Sequence, residues 1–235
     1  MHEVKALLFD VFGTLVDWRG SIAREARECL GPLGIALDWE AFADAWRDQY
    51  QPAMDEVRTG RLPFCRLDVL HRRNLDVILR DFGIEQVDEV VRASLNLAWH
   101  RLDAWPDVAS GLTRLRARFR IAPCSNGNIS LQVDLARRNG LPWDAILGAE
   151  IAHDYKPKPV VYLSAAAAFD CQPRETMMVA AHSSDLAAAA AAGLRTAFIA
   201  RPDEHGRGKG ESSASVPVDL CAAGLDDLAN QLGCA

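Results

Sequence analysis

The chain has 235 residues, about one and a half times a 150-residue domain, which excludes a small module stapled by disulfides or metal and allows one large domain or a core with an insertion. Apolar residues make up 49% and charged residues 25%, as in ordinary globular proteins, so wholesale disorder is excluded. Basic residues number 26 and acidic ones 32, a net −6, with no basic-aromatic stripe; the expected partner is a small molecule, not a nucleic acid.

The longest alanine-rich apolar run, Leu186 to Leu194, is about half a bilayer's thickness. The first residues are charged rather than signal-like, so no membrane association and a cytoplasmic location are expected. Six cysteines show no C-x-x-C pair and no regular spacing, which reads as buried free thiols.

Val4 to Phe9 is a short apolar run stopped by Asp10 and Gly13-Thr14, the pattern of a strand buried on both faces. Residues 17–102 then lack strand signals; Phe42-Trp46, Leu67-Leu70-Leu75-Ile78 and Val87-Val91-Leu95-Trp99 recur at helical spacing, predicting an all-helical insertion. Strand-like runs follow at Arg120–Cys124, Ala145–Leu147, Met177–Ala181 and Arg195–Ile199, alternating with helical stretches near Leu131–Asn139, Val160–Phe169 and Asp185–Ala192. The expected fold is therefore α/β: a Rossmann-like parallel-sheet core (1–16 and 103–235) with an all-helical cap (17–102) over the carboxyl end of the first strand, where open α/β sheets bind ligands. Arg201 to Pro217 is polar and rich in Gly and Ser, the composition of a mobile surface loop without chemistry. Trp99, Trp105 and Trp143 read as core rather than interface.

Four strand ends carry polar groups. Asp10, in FDVFGT, either projects a carboxylate into the crevice or makes a local turn hydrogen bond; Thr14 either bonds that carboxylate or begins a helix. Ser125-Asn126-Gly127 offers donors to an anion, or is simply a turn. Lys156, in the run YKPKP, is a surface charge unless the fold brings it to Asp10, where it would hold the carboxylate ionised. Asp185, in AAHSSDL, alone is a helix-capping acid. Carboxylate, hydroxyl and amide, ammonium and a second carboxylate on successive strand ends of one sheet form a set fit for one reaction.

These four segments resemble, in order and spacing, the four motifs of the haloacid dehalogenase superfamily. The resemblance implies a nucleophile at Asp10, a motif-two hydroxyl at Ser125, the motif-three lysine at Lys156 and the last acid at Asp185. The superfamily's phosphatases carry D-x-D, whose second aspartate protonates the leaving alcohol; here that position is Phe12. They also commonly carry a metal-binding aspartate where this chain has Ala181. D-x-F-G-T is instead similar to the L-2-haloacid dehalogenase branch, with Arg47 resembling its halide-receiving cap arginine, Tyr162 its tyrosine near the lysine, and Asn126 following the serine as in that branch. Without the resemblance, Arg47 reads as a solvated helix arginine. The fourth motif departs from the branch: His182 stands where asparagine is usual and Ser184 where tryptophan is. This is similar to a subgroup with A-A-H, for which action on fluoroacetate is an open expectation, and His182 is either polar pocket lining or a turn histidine.

What the resemblance implies is hydrolysis of short 2-haloalkanoic acids to 2-hydroxy acids, with no cofactor and no metal, through an aspartyl ester at Asp10 and inversion at C2. The substrate carboxylate would meet Ser125 and backbone donors at Val11 and Phe12, the halide would depart toward Arg47 and Asn126, and Lys156 and Asp185 would serve water, with Thr14 and the same backbone donors facing the oxyanion. A homodimer is a further implication of the resemblance. Two rivals remain: a magnesium-dependent phosphatase of the same superfamily, and a phospho-accepting receiver module, which would place its acceptor on a middle strand and lack a large cap.

Overall fold

The computed structural model describes residues 4–234. Six parallel strands form the central sheet: β1 (Ala6–Phe9), β4 (Arg120–Ser125), β5 (Leu147–Gly148), β6 (Thr176–Ala180), β7 (Arg195–Ile199) and β8 (Leu220–Ala222), in the order β5-β4-β1-β6-β7-β8. The α/β class expected from the alternation is the one observed. β5 is a two-residue stub, and β8, half-exposed at the sheet edge, is too short to show a period in sequence.

β1 is buried on both faces because successive side chains alternate. Leu7 and Phe9 enter one apolar layer with α6 (Val108–Arg116), α7 (Ile129–Asn139) and α11 (Leu225–Gln231). Ala6 and Leu8 enter the other with α9 (Pro159–Ala168) and α10 (Ser183–Ala191), while α8 (Ala149–Ala152) is a single turn after β5.

Between β2 (Val16–Asp17) and β3 (Asp103–Ala104) the chain is helical: α1 (Trp18–Leu30), α2 (Trp39–Asp48), α3 (Tyr50–Arg58), α4 (Leu67–Asp81) and α5 (Glu89–Asn96). β2 and β3 pair antiparallel, Val16 opposite Ala104 and Asp17 opposite Asp103, so the helical segment leaves and returns at one point. Its helices begin where aspartates supply the missing acceptor: Asp17, Asp38 and Asp88 each accept from a backbone N–H three residues on. Trp18, Phe42, Trp46 and Trp99 are fully buried in it. It is fastened to the sheet layer by polar contacts: Asn128 Nδ2 donates to Asp68 at 2.9 Å, His100 lies between Asp68 and Asp134 at 3.1 and 2.7 Å, and the Tyr155 hydroxyl donates to the Cys65 carbonyl at 2.6 Å.

The expectation for Arg201–Pro217 needs correction. Arg201 is buried, its Nε donating to the Thr14 carbonyl at 2.8 Å and its Nη2 to Asp107 at 2.9 Å, and Glu204 is only 2% exposed. The Gly- and Ser-rich composition describes the solvent side of this loop; two charged residues turn inward because buried partners await them, which composition cannot register. The cysteines are all free, but Cys221 is exposed and Cys29 and Cys65 are half-buried; only Cys124, Cys171 and Cys234 fit the buried reading. Trp99 is buried, and Trp105 and Trp143 pack partly buried against the same core. Among the described residues no helix is long and apolar enough to cross a membrane.

Candidate active site

The strand order reverses at β1: the chain runs outward through β4 to β5 on one side and through β6, β7 and β8 on the other. Side chains leaving the carboxyl ends of β1, β4 and β6 therefore converge on one crevice. A cavity of about 380 Å³ opens there, a small-molecule size, floored by residues of the strand ends and walled by α2 and α3.

Asp10 sits at the centre, 7% exposed. Its Oδ1 accepts from Lys156 Nζ at 2.9 Å; its Oδ2 accepts from the Thr14 hydroxyl at 2.7 Å and lies 3.1 Å from His182 Nδ1. Thr14 in turn accepts from the Ala181 amide at 2.9 Å, so of its two sequence readings the hydrogen bond to the carboxylate is realised. Burial works to raise the Asp10 pKa, but the Lys156 ammonium and then His182 outweigh it and hold the carboxyl well below the usual carboxylate range.

Each of these two cations is backed by a second carboxylate. Lys156 Nζ also reaches Asp185 Oδ2 at 2.5 Å, and the Tyr162 hydroxyl donates to Asp185 Oδ1 at 2.5 Å. Burial disfavours the ammonium, yet the charges of Asp10 and Asp185 carry its pKa well above the ordinary lysine value. His182 Nε2 lies 2.9 and 3.0 Å from the two oxygens of Glu204. Burial alone would lower its pKa, but the bonds to Asp10 and Glu204 raise it to about 10, so the ring is an imidazolium at neutral pH. Of the two sequence readings, polar lining of the pocket is the one the structure realises, since His182 also faces the cavity.

Arg47, near the end of α2, lines the cavity and stacks on Tyr50, with Cζ 4.0 Å from the ring centroid, and also approaches Trp18 at 5.3 Å and Phe12 at 5.7 Å. Its Nη1 is buried without a hydrogen-bond partner among the described residues. A guanidinium held by aromatic faces with an unused donor is prepared for an anion. Arg58, also on the wall, gives its Nη1 to Asp55 and its Nη2 to Gln51, while its Nε is buried without a partner among the described residues.

Asn126 lines the cavity and accepts from the Lys156 amide at 2.9 Å, tying the second strand end to the lysine. Ser125 is fully buried and does not line the cavity; its Oγ accepts from Gly127 N at 3.0 Å and Gln132 Nε2 at 2.9 Å, which shapes the turn carrying Asn126. The Phe12 ring packs edge-on against Tyr50 and Trp99 and forms part of the wall. The amides of Val11 and Phe12 make no bond to protein among the described residues and stand beside Asp10 as free donors. Among the described residues no three His, Cys, Asp or Glu side chains are arranged to hold a metal ion.

Sequence reasoning missed Tyr50 and Glu204. Tyr50 had a signal, three residues after Arg47 on the helical surface. Glu204 had none, because its partners His182 and Trp18 lie 22 and 186 residues away.

An Asp10 carboxylate at the switch point of a parallel α/β sheet, bridged by lysine to a second carboxylate under a helical wall, defines an aspartate-centred site on a Rossmann-like core. Residues 4–193 match the haloacid dehalogenase-like hydrolases, and the chain belongs to that family. Its structure is similar to that of a defluorinating L-2-haloacid dehalogenase, at 45% identity and a TM-score of 0.95, covering 98% of this chain and 95% of the other. A second L-2-haloacid dehalogenase superposes with a TM-score of 0.93 at 46% identity, covering 98% and 99%. In sequence the chain is 29% identical over 211 residues to (S)-2-haloacid dehalogenase 1 of Pseudomonas sp. (strain CBS-3), covering 87% of this chain and 89% of that protein.

Proposed function

We propose that the protein hydrolyses short (S)-2-haloalkanoic acids to 2-hydroxy acids, with the helical segment 17–102 acting as a cap over the sheet. The observation that carries this reading is the pairing of Asp10, held as a carboxylate by Lys156, with an unpartnered, buried Arg47 donor across one cavity. A carboxylate can displace a halide from C2 in line, and the departing anion needs a cation but no proton. The Asp10 oxygen forms the bond to C2, the carbon–halogen pair leaves with the halide toward Arg47, and C2 inverts. The free amides of Val11 and Phe12, with Asn126, offer donors to the substrate carboxylate; Ser125 supports them by holding the Asn126 turn.

Water then adds to the ester carbonyl, served by Lys156 and Asp185 with Tyr162 fixing the latter. The cap limits bulk water, so the attraction between Arg47 and halide is less screened. Phe12 supports dehalogenation over phosphoester hydrolysis, because no acid stands two residues after Asp10 to protonate an alkoxide. Likewise the positive flank of Asp10 is already supplied by Lys156 and His182, which supports a metal-independent reaction. Free cysteines support a reducing, cytoplasmic setting.

The test is halide release from the separate enantiomers of 2-chloropropionate, with chloroacetate and fluoroacetate alongside, in excess EDTA. Rapid release from the L enantiomer is expected; no release from any of them would overturn the reading.

A further inference from the structure

The two oxygens of Asp10 are not equivalent. A carboxylate oxygen has two in-plane lone pairs. Oδ2 has both engaged, by the Thr14 hydroxyl at 2.7 Å and His182 Nδ1 at 3.1 Å, whereas Oδ1 faces Lys156 alone and keeps one lone pair. Attack on C2 therefore issues from Oδ1, and Oδ2 becomes the carbonyl oxygen of the resulting ester. When water adds to that ester, negative charge develops on Oδ2, at which two donors are already aimed.

The second of those donors is built into the fold. Glu204, 2% exposed, receives Trp18 Nε1 at 3.0 Å on Oε1 and faces His182 Nε2 with both oxygens, which fixes the ring so that Nδ1 points to Asp10. The loop that carries Asp10 is shaped around this carboxylate. Gly13 has φ +83°, and a Cβ there would lie 2.0 Å from Glu204 Oε1, so only glycine lets the loop pass. His205 Nε2, 3.7 Å from Glu204 Oε1, is the other titratable group beside it.

We propose that His182 is a catalytic residue of ester hydrolysis, donating to the oxyanion at Asp10 Oδ2, and that Glu204 is its positioning residue. This rests on the dehalogenase reading above and deepens it. In the step, the water oxygen bonds to Asp10 Cγ and gives a proton to Asp185, while the carbonyl electron pair moves to Oδ2 between Thr14 and His182. Return of that pair breaks the Cγ–Oδ1 bond; the departing 2-hydroxy acid oxygen takes the proton from Asp185. The new carboxyl of Asp10, carrying the water oxygen, releases its remaining proton to solvent. Donation to Oδ2 matters most when that oxygen carries full charge, so loss of His182 burdens the second half-reaction more than the first.

The experiment compares wild type, His182→Gln, Glu204→Gln and the double variant by rapid mixing with excess L-2-chloropropionate, following halide and the mass of acid-quenched protein. In His182→Gln the first halide per site is expected to appear within about threefold of the wild-type rate. Steady turnover should fall by about 10²- to 10³-fold, the scale for removing one oxyanion donor. Halide then appears as a burst of one per site, and the ester adduct accumulates on the protein. Glu204→Gln keeps the shape of the acceptor and should shift the same ratio in the same direction, which tests the inference even if the histidine variant folds poorly. The double variant should be no slower in turnover than His182→Gln, because Glu204 acts through the histidine. Wild-type halide release together with variants that lose burst and steady rates equally, or that keep steady turnover within about threefold, would overturn the role of His182 while leaving the dehalogenase reading in place. Absence of halide from the wild type overturns both.

Discussion

Replacing Arg47 by Ala separates catalysis from stability more sharply than any other change at this site. Among the described residues Arg47 has no acidic partner; it is held by the Tyr50 face at 4.0 Å, with Trp18 and Phe12 beyond 5 Å. The closest of these contacts, on the face of a buried ring, is worth about 2 kcal/mol. Removing it also relieves a buried, unpartnered N–H, a term of about 1–3 kcal/mol in the opposite direction. The two nearly cancel, so thermal unfolding should shift by no more than about 4 °C for a chain of this size. Catalysis loses the guanidinium that has no acidic partner and a free donor at the cavity wall, which by analogy with an oxyanion donor is about 3–4 kcal/mol, or 10²- to 10³-fold in kcat/KM. The assay is halide release beside a melting curve, with added bromide as a product inhibitor. Wild type should be inhibited by bromide, and the variant much less. Arg47→Lys keeps the charge but not the stacked planar fork, and should fall between the two. A folded Arg47→Ala enzyme within about threefold of wild-type kcat/KM would refute the assignment of the halide pocket.

Other substitutions test the flanking charges. Asp10→Asn should release no halide above background, and the adduct seen in quenched wild type should be missing from its mass spectrum. Lys156→Met leaves Asp10 and Asp185 facing without their bridging cation, so activity should fall by at least about 10³-fold and stability by about 3–5 kcal/mol near neutral pH, the latter shrinking in acid as the carboxylates protonate. For His182 the folded value of about 10 lies above the ordinary 6.5. Its contribution to stability is therefore fully present below about pH 6.5 and is lost as pH rises through about 10, a change on the order of a few kcal/mol. Thermal melts of wild type should fall over that interval, while those of His182→Gln should be flatter; parallel curves would count against a charged His182.

The alternation of short apolar runs with amphipathic stretches was readable as a parallel sheet because burial on both faces imposes continuous apolar composition on strands such as Leu7 to Phe9. The helical segment was readable for the same reason, through spaced residues such as Phe42 and Trp46. The short ribbon of Val16–Asp17 with Asp103–Ala104 was not, since two residues carry no period. Nor was β8, which at the sheet edge has only one of three residues fully buried.

Sequence alone placed Asp10 and Asn126 at strand ends and Asp185 at a helix start, because the local patterns that terminate strands also aim side chains at the ligand-binding edge of such a sheet, whereas Lys156, expected at a strand end, lies in the turn ahead of α9 with α8 between it and β5. The resemblance added what is missing: Phe12 and Ala181 stand where it leads one to expect the aspartates of the superfamily's phosphatases. Tertiary structure decided which groups share a proton and a charge. It moved Ser125 behind the cavity wall, freed one donor of Arg47 by stacking it on Tyr50, and raised the His182 pKa by setting Asp10 and Glu204 against its two ring nitrogens. Glu204 comes from a loop whose composition looks like solvent-exposed linker. Charge and hydrogen-bond geometry act through space over about 3 Å, whereas the residues that meet here are separated by up to 186 positions in the chain, and no local pattern encodes that distance.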